Sequence, residues 1–341
     1  MKKINFIVLF SVVFFASLSS ANTEQTINNF ASRQEVQNFI TNMKDKHNFD
    51  RDQLETLFKQ YDTNKYVLEK ISNPSEKLSW GKYKQLLISQ DRINKGKIFL
   101  KKHQDILFKA EQHFGVPKEM IVAILGVESF YGEKSGNIPV IQSLATLAFD
   151  YPPREKFFKQ ELEHFLLLIK EEKLDPTNIM GSYAGAMSPA QFISSSYRTY
   201  AVDFANIGTK DLNNISNSIG SIANYFYKHG WQKEKPIAYV AKITNNAKYV
   251  DYIDRNLASP KPQYSLHQLK NIGVETTNRF NNDLDKQVVL MEFVNEKDQK
   301  EYWLGFDNFC VITKYNHSVN YAMAVYQLAV QLGLVNKVEK I

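Results

Sequence analysis

Apolar residues recur at helical spacing from Ser32 to Trp231, and this period constrains the fold more than any other feature of the chain. Arg33 to Met43, Arg51 to Tyr61 and Ile93 to Phe114 read as helices separated by polar breaks. From Val116 to Trp231 the helices continue, broken by Pro- and Gly-containing loops at Gly136 to Pro139, Tyr151 to Pro153 and Gly181 to Pro189. After Asp251 the texture changes. Pro260 and Pro262 interrupt the chain, and Val288 to Val294, Lys300 to Leu304 and Cys310 to Tyr315 are rich in β-branched and aromatic residues, which predicts short antiparallel strands. A final helix is expected from Ser318, its N-cap, with Tyr321, Val325, Leu328 and Leu332 on one face.

The stretch Val116 to Gly132 carries the one residue out of keeping with its surroundings. Pro117 suits a first helical turn and Gly132 can end the helix. Ile121, Ile124, Leu125 and Tyr131 lie seven, four and three residues from Glu128, on one helical face. Glu128 therefore faces the interior or a cleft. A carboxyl held there tends to stay protonated near neutrality, which suits a general acid. An exposed or salt-bridged Glu in a last turn is the plainer alternative, and spacing alone leaves both open.

Met1, Lys2 and Lys3 precede an apolar run from Ile4 to Leu18, and Ser19, Ser20 and Ala21 supply small residues for cleavage, so residues 1–21 read as a signal peptide. No second apolar run approaches spanning length. The only cysteine, Cys310, lies far from the signal segment, which leaves no disulfide, thiolate cluster or lipid-attachment site; a soluble periplasmic protein is expected. Losing Lys2 and Lys3 takes the formal net charge from +6 to +4, too modest to argue for nucleic acid as a partner. The content of 13% aromatic residues suits sugar stacking and core packing equally.

Several motifs occur in a fixed order. Gly115-Val116-Pro117 is followed by Ile121 to Gly132, containing Glu128-Ser129-Phe130-Tyr131-Gly132, then by Ala145 to Pro152. Gly181-Ser182-Tyr183-Ala184-Gly185-Ala186-Met187-Ser188-Pro189-Ala190-Gln191-Phe192 comes next, then Ala223 to Phe226, His229-Gly230-Trp231, and Tyr315 to Ser318 with Tyr321 to Val325. Each is weak alone, but together they resemble the lytic murein transglycosylase B family of lysozyme-like, peptidoglycan-cleaving enzymes.

That resemblance implies a mainly α (α+β) fold: a signal peptide (1–21), a helical domain (22–105), a lysozyme-like catalytic core (106–250), a linker with a small antiparallel β subdomain (251–315), and a C-terminal helix (316–341) returning to the core. It implies that Glu128 is the lone catalytic acid and base. The bond cleaved is the β-1,4 link between N-acetylmuramic acid and N-acetylglucosamine, leaving 1,6-anhydromuramic ends. A muramidase using water, or a peptidoglycan-binding protein without activity, stands as the alternative. Ser182 would bond the acetamido group or steer the Glu128 proton, and Gln191 would hold the carboxyl or the sugar. Tyr225 would bond or stack beside the sugar, although a core role is nearly as well supported, and Tyr315, Asn316 and Tyr321 match positions that line the family's cleft. Glu133 and Asp150 read as surface or cap residues and receive no catalytic role.

The chain departs from the family at three places. Pro153 replaces the first of two arginines, leaving Arg154 as the candidate contact for peptide-stem carboxylates or as a surface ion-pair partner. The loop after Asp203, which in relatives can bind calcium, has Ala205 and Ile207 at alternate positions, so no calcium site is expected. The cysteine of lipid-anchored members is missing. No HExxH spacing or G-x-S-x-G elbow supports a zinc or serine-hydrolase site, so no cofactor or metal is expected. The expected partner is the peptidoglycan glycan strand.

Overall fold

The computed structural model describes residues 29–72, 78–244, 248–276 and 285–335; the predicted signal peptide lies outside them. The N-terminal half is helical: α1 (Gln34–His47), α2 (Arg51–Lys59), α3 (Lys65–Ser72), α4 (Trp80–Leu87), α5 (Gln90–Lys102), α6 (Gln104–Phe114) and α7 (Lys118–Ser129). A two-residue ladder of β1 (Ile138–Pro139) and β2 (Met180–Gly181) brackets α8 (Val140–Asp150) and α9 (Glu155–Glu172), and α10 (Ser194–Tyr200) and α11 (Ile215–Lys228) complete the helical body. Side-chain caps start several of these helices where the sequence supplies them, Asp50 on Gln53 N, Ser89 on Arg92 N and Asn214 on Ser216 N.

The centre of the molecule is α7, buried from Met120 through Gly126 without an exposed stripe, as a helix enclosed by others must be. It packs against α5, α6, α11 and the last helix, α14 (Val319–Gln331), whose N-cap Ser318 accepts from Tyr321 N as the sequence predicts. The N-terminal helices join this body through Asp150. Its carboxylate takes a two-pronged bond from Arg33, at 3.1 and 2.8 Å, and a third at 2.7 Å from Thr63.

The remaining chain forms β3 (Ala238–Ile243), β4 (Tyr264–Ser265), α12 (Leu266–Asn271), β5 (Val274–Thr276), β6 (Gln287–Val294), β7 (Lys300–Gly305) and α13 (Asp307–Tyr315). The strands make one antiparallel sheet in the order β4-β6-β7-β3-β5. The unbroken apolar run in β6 has a cause: Val289, Met291 and Phe293 face the helical core while Val288 and Leu290 face a second small core with Leu266, Leu269 and Leu304.

Three sequence expectations are corrected. The sheet draws its β3 from Ala238–Ile243, inside the span assigned to the helical core, so the boundary at 250 does not separate helices from strands. Cys310 to Tyr315 is helical, not a strand. Phe309 and Ile312, three apart, are both buried, and the buried Asn308 amide pins this segment to Gln232 N, Gln232 O and Lys235 O; non-local packing overrides the β-branched composition. Finally α7 ends at Ser129, before Gly132, because Phe130 and Tyr131 take left-handed backbone with φ of 53° and 65°.

Candidate active site

Glu128 occupies the last turn of α7 and is half-buried. Its Oε1 accepts a 2.6 Å hydrogen bond from the hydroxyl of Tyr321, a fully enclosed residue in the first turn of α14. Burial, and then the Glu128 charge, push the Tyr321 hydroxyl well above the ordinary tyrosine range, so it remains a donor at any physiological pH. The Tyr315 hydroxyl is raised by the same two causes and donates to Ala190 O at 2.6 Å.

The turn after Glu128 is tightly bound. Two consecutive non-glycine residues in left-handed backbone cost about 1–3 kcal/mol each. Their conformation turns Tyr131 N back onto Leu125 O at 2.9 Å, a wide loop closing the helix end, while the Tyr131 hydroxyl donates to Arg92 O at 2.7 Å. Ser129 Oγ donates to Pro189 O at 2.7 Å, which joins the Glu128 turn to the loop carrying Ser182 and Gln191.

Ser182 and Gln191 are both engaged with main-chain groups. Ser182 Oγ accepts from Ala184 N at 3.3 Å and Ala186 N at 3.1 Å, the grip that forms the small-residue turn. Gly185 is needed in that turn: its φ is 78°, and a Cβ there would lie 2.5 Å from Leu144. Gln191 donates both amide protons to main-chain carbonyls, Ser135 O at 3.0 Å and Ser188 O at 2.9 Å, so its NH2 group does not reach for the Glu128 carboxyl as expected.

Arg154, Gln191, Tyr225, Tyr315 and Asn316 line one cleft of about 720 Å³; Glu128, Ser182 and Tyr321 are not among its lining residues, and Tyr315, which is, lies close enough to Glu128 to be raised by its charge. The Tyr225 hydroxyl is committed to Lys314 O at 2.6 Å and its ring stacks on His229 at 4.0 Å, so much of this side chain serves packing. Arg154 lies over the Phe157 ring at 4.1 Å, held at the cleft wall by a cation–π contact. Cleft residues given no site role from the sequence include Phe157, Lys314 and two that figure there only as parts of motifs, His229 and His317. Periodicity could not mark them, because they come from a helix start, a helix end and the α13 to α14 connection. Buried Glu161 does not line the cleft but stands behind its wall residue Ser195; it takes bonds from Ser195 N at 3.0 Å and Ser195 Oγ at 2.6 Å, and thereby sets the start of α10 along the cleft. Tyrosines apart, the ionisable groups lining the cleft are Arg154, His229, Lys314 and His317, all basic.

The loop after Asp203 does not fit calcium. The Asp203 carboxylate already accepts from Ile207 N at 2.9 Å and Gly208 N at 2.7 Å, and the buried Asn217 amide bridges Ala205 N, Thr209 O and Asp211 O. Ala205 and Ile207 offer no side-chain oxygen. Among the described residues no group of three or more His, Cys, Asp or Glu could hold a metal ion.

A family model described as Transglycosylase SLT domain matches residues 31–330. The membrane-bound lytic murein transglycosylase B of Escherichia coli K12 is 36% identical over 329 residues, covering 92% of this chain and 86% of that one. Among solved structures, the soluble lytic transglycosylase SltB1 of Pseudomonas aeruginosa is 42% identical with a TM-score of 0.81, covering 87% of this chain and 98% of that one. The Escherichia coli lytic transglycosylase Slt35, solved in complex with calcium, is 38% identical with a TM-score of 0.79, covering 89% of this chain and 93% of its own. With its motifs on this helical frame and its relatives matched along nearly their whole length, the chain belongs to the SLT-domain transglycosylase family.

Proposed function

We propose that this enzyme is a lytic transglycosylase that cleaves the β-1,4 bond between N-acetylmuramic acid and N-acetylglucosamine in peptidoglycan, with Glu128 as its only acid and base. Protonated Glu128 gives its proton to the glycosidic oxygen as the bond to the muramic C1 breaks. The substrate's acetamido oxygen bonds C1 and carries the positive charge. Ionised Glu128 then takes the proton of the C6 hydroxyl, whose oxygen attacks C1, displaces the acetamido oxygen and closes the 1,6-anhydro ring. Glu128 ends protonated again, and no water is consumed.

The observation that carries this reading is the Glu128 carboxyl bonded to Tyr321 and near enough to act on Tyr315, a wall residue of a cleft whose described lining contains no carboxylate. An inverting hydrolase needs a second carboxyl about 6.5–9.5 Å away to activate water, whereas an internal nucleophile does not. Tyr321 steadies the ionised form that must accept the C6 proton. In this reading Tyr315 and Asn316 bound the sugar site, Tyr225 supports its wall, Ser182 and Gln191 shape its loop, and Arg154 meets stem-peptide carboxylates, in keeping with the basic lining. Export to the periplasm with removal of residues 1–21 completes the proposal; no helix among the described residues is long and apolar enough to cross a membrane.

The test is product mass together with Glu128→Gln. Parent enzyme acting on purified sacculi is expected to release anhydro-muropeptides lighter by one water than hydrolysed ones. Glu128→Gln is expected to bind sacculi and release nothing; hydrated products from the parent, or an active Glu128→Gln, contradict the mechanism.

A further inference from the structure

Arg92 breaks two local rules. It sits in the first turn of α5, where a cation opposes the helix dipole, and it is half-buried, yet its side-chain hydrogen bonds go to main-chain carbonyls and not to a carboxylate. Nε donates to Gly126 O at 2.9 Å and Nη1 to Leu86 O at 2.7 Å, while the guanidinium carbon lies 5.0 Å from the centre of the Phe130 ring. Gly126 and Phe130 bracket Glu128 in the sequence. The first is a carbonyl in the last turn of α7, where the helix dipole is negative, and it takes the Arg92 bond in addition to the capping bond from Phe130 N at 3.2 Å; the second is the left-handed residue that stops the helix.

Arg92 also receives a bond. Its own carbonyl accepts from the Tyr131 hydroxyl, and that phenol fills the notch left by Gly126, where a Cβ would lie 2.7 Å from Tyr131 Oη. Residues 126, 130 and 131 are thus all tied to Arg92, from the side of α7 formed by α5, while Tyr321 reaches Glu128 from α14.

We propose that Arg92 is a positioning residue for Glu128: its guanidinium clamps the strained end of α7 so that the carboxyl meets the Tyr321 hydroxyl and the glycosidic oxygen in one geometry. The fork of the guanidinium matters, because one group must reach two carbonyls on different elements and lie on a ring. The desolvated state of Arg92, which lowers its pKa, agrees with a charge retained for geometry at a cost in solvation. This inference rests on the reading of Glu128 as the acid and base.

The experiment compares Arg92→Ala and Arg92→Lys with the parent and with Glu128→Gln, using anhydro-muropeptide release from sacculi and thermal unfolding in parallel. Displacing reacting groups by about 1 Å costs on the order of a hundredfold, so folded Arg92→Ala is expected to lose about ten- to a hundredfold in kcat with KM within roughly twofold. Arg92→Lys, which keeps the charge and loses the fork, is expected to remain at least about threefold below the parent. Added methylguanidinium is expected to raise the kcat of Arg92→Ala and leave that of Arg92→Lys unchanged. A folded variant with parental kcat overturns the proposal, as does loss of activity that only follows lost folded protein, including failure of both variants to fold. If Glu128→Gln stays active, the reading of Glu128 fails and takes this inference with it; if Glu128→Gln is inert while folded Arg92 variants match the parent, only the clamp is wrong.

Discussion

The Tyr321 hydroxyl and Glu128 Oε1 lie 2.6 Å apart across 193 residues of sequence. This bond brings the last helix onto the end of the central one and gives the carboxyl a fixed donor. A hydrogen bond to a charged group is worth about 1.5–3 kcal/mol, so Tyr321→Phe is expected to lower kcat by about ten- to a hundredfold with little change in KM. Steady-state release of muropeptides from sacculi checks it; a parental rate would mean the bond does not serve the reaction.

Tyr225→Phe separates cleft chemistry from packing. Its hydroxyl is used on Lys314 O and its ring on His229, so the variant is expected to lose about 1–3 kcal/mol of stability while kcat stays within roughly twofold. Thermal unfolding and turnover measured on one preparation decide it, and a large loss of kcat without loss of stability would assign the hydroxyl to the substrate.

Gly126→Ala places a methyl group 2.7 Å from Tyr131 Oη and 2.8 Å from its Cζ. Overpacking of this kind costs about 1–3 kcal/mol, and here the ring it displaces belongs to the turn after Glu128. Both Tm and turnover are expected to fall.

Calcium is expected to leave the melting temperature unchanged, since the loop after Asp203 is closed by Asp203 and Asn217. A site filled at a hundred times its Kd would add about 2.7 kcal/mol, easily seen in a melting curve. Asn217→Ala, by contrast, removes the buried bridge and is expected to cost about 2–3 kcal/mol, with or without the ion.

Acid should weaken one tie between α9 and α10. The Arg198 side chain holds the Glu171 carboxyl below its ordinary value of 4.5. A carboxylate with a depressed pKa in the folded state stabilises the fold above about pH 4.5, and that contribution is lost as pH falls through the folded value. The pair is solvent-exposed and screened, so no more than about 1 kcal/mol is involved. Arg198→Ala is expected to melt slightly below the parent at pH 6, with the gap closing as the buffer is taken below 4.5; a gap that persists in acid would point to packing.

Helical period, Ser318 as a cap and a lone carboxyl in the apolar stripe of α7 were legible in the order of residues, because each depends on neighbours within a turn or two. The same local signals misread Cys310 to Tyr315, whose β-branched residues become helical when Phe309, Asn308 and Ile312 are buried against distant chain. They could not show that the Ser182 oxygen would accept from its own loop or that the Gln191 NH2 would donate to Ser188 O and Ser135 O, since that depends on which carbonyls and amides the fold delivers to them. Nor could they place Phe130 and Tyr131 in left-handed backbone, a strained choice that bonds to distant chain such as Arg92 help sustain. Sequence alone selected the helices and singled out the Glu128 carboxyl; tertiary packing selected that carboxyl's partner, because a hydrogen bond spanning 193 residues leaves no mark on local spacing.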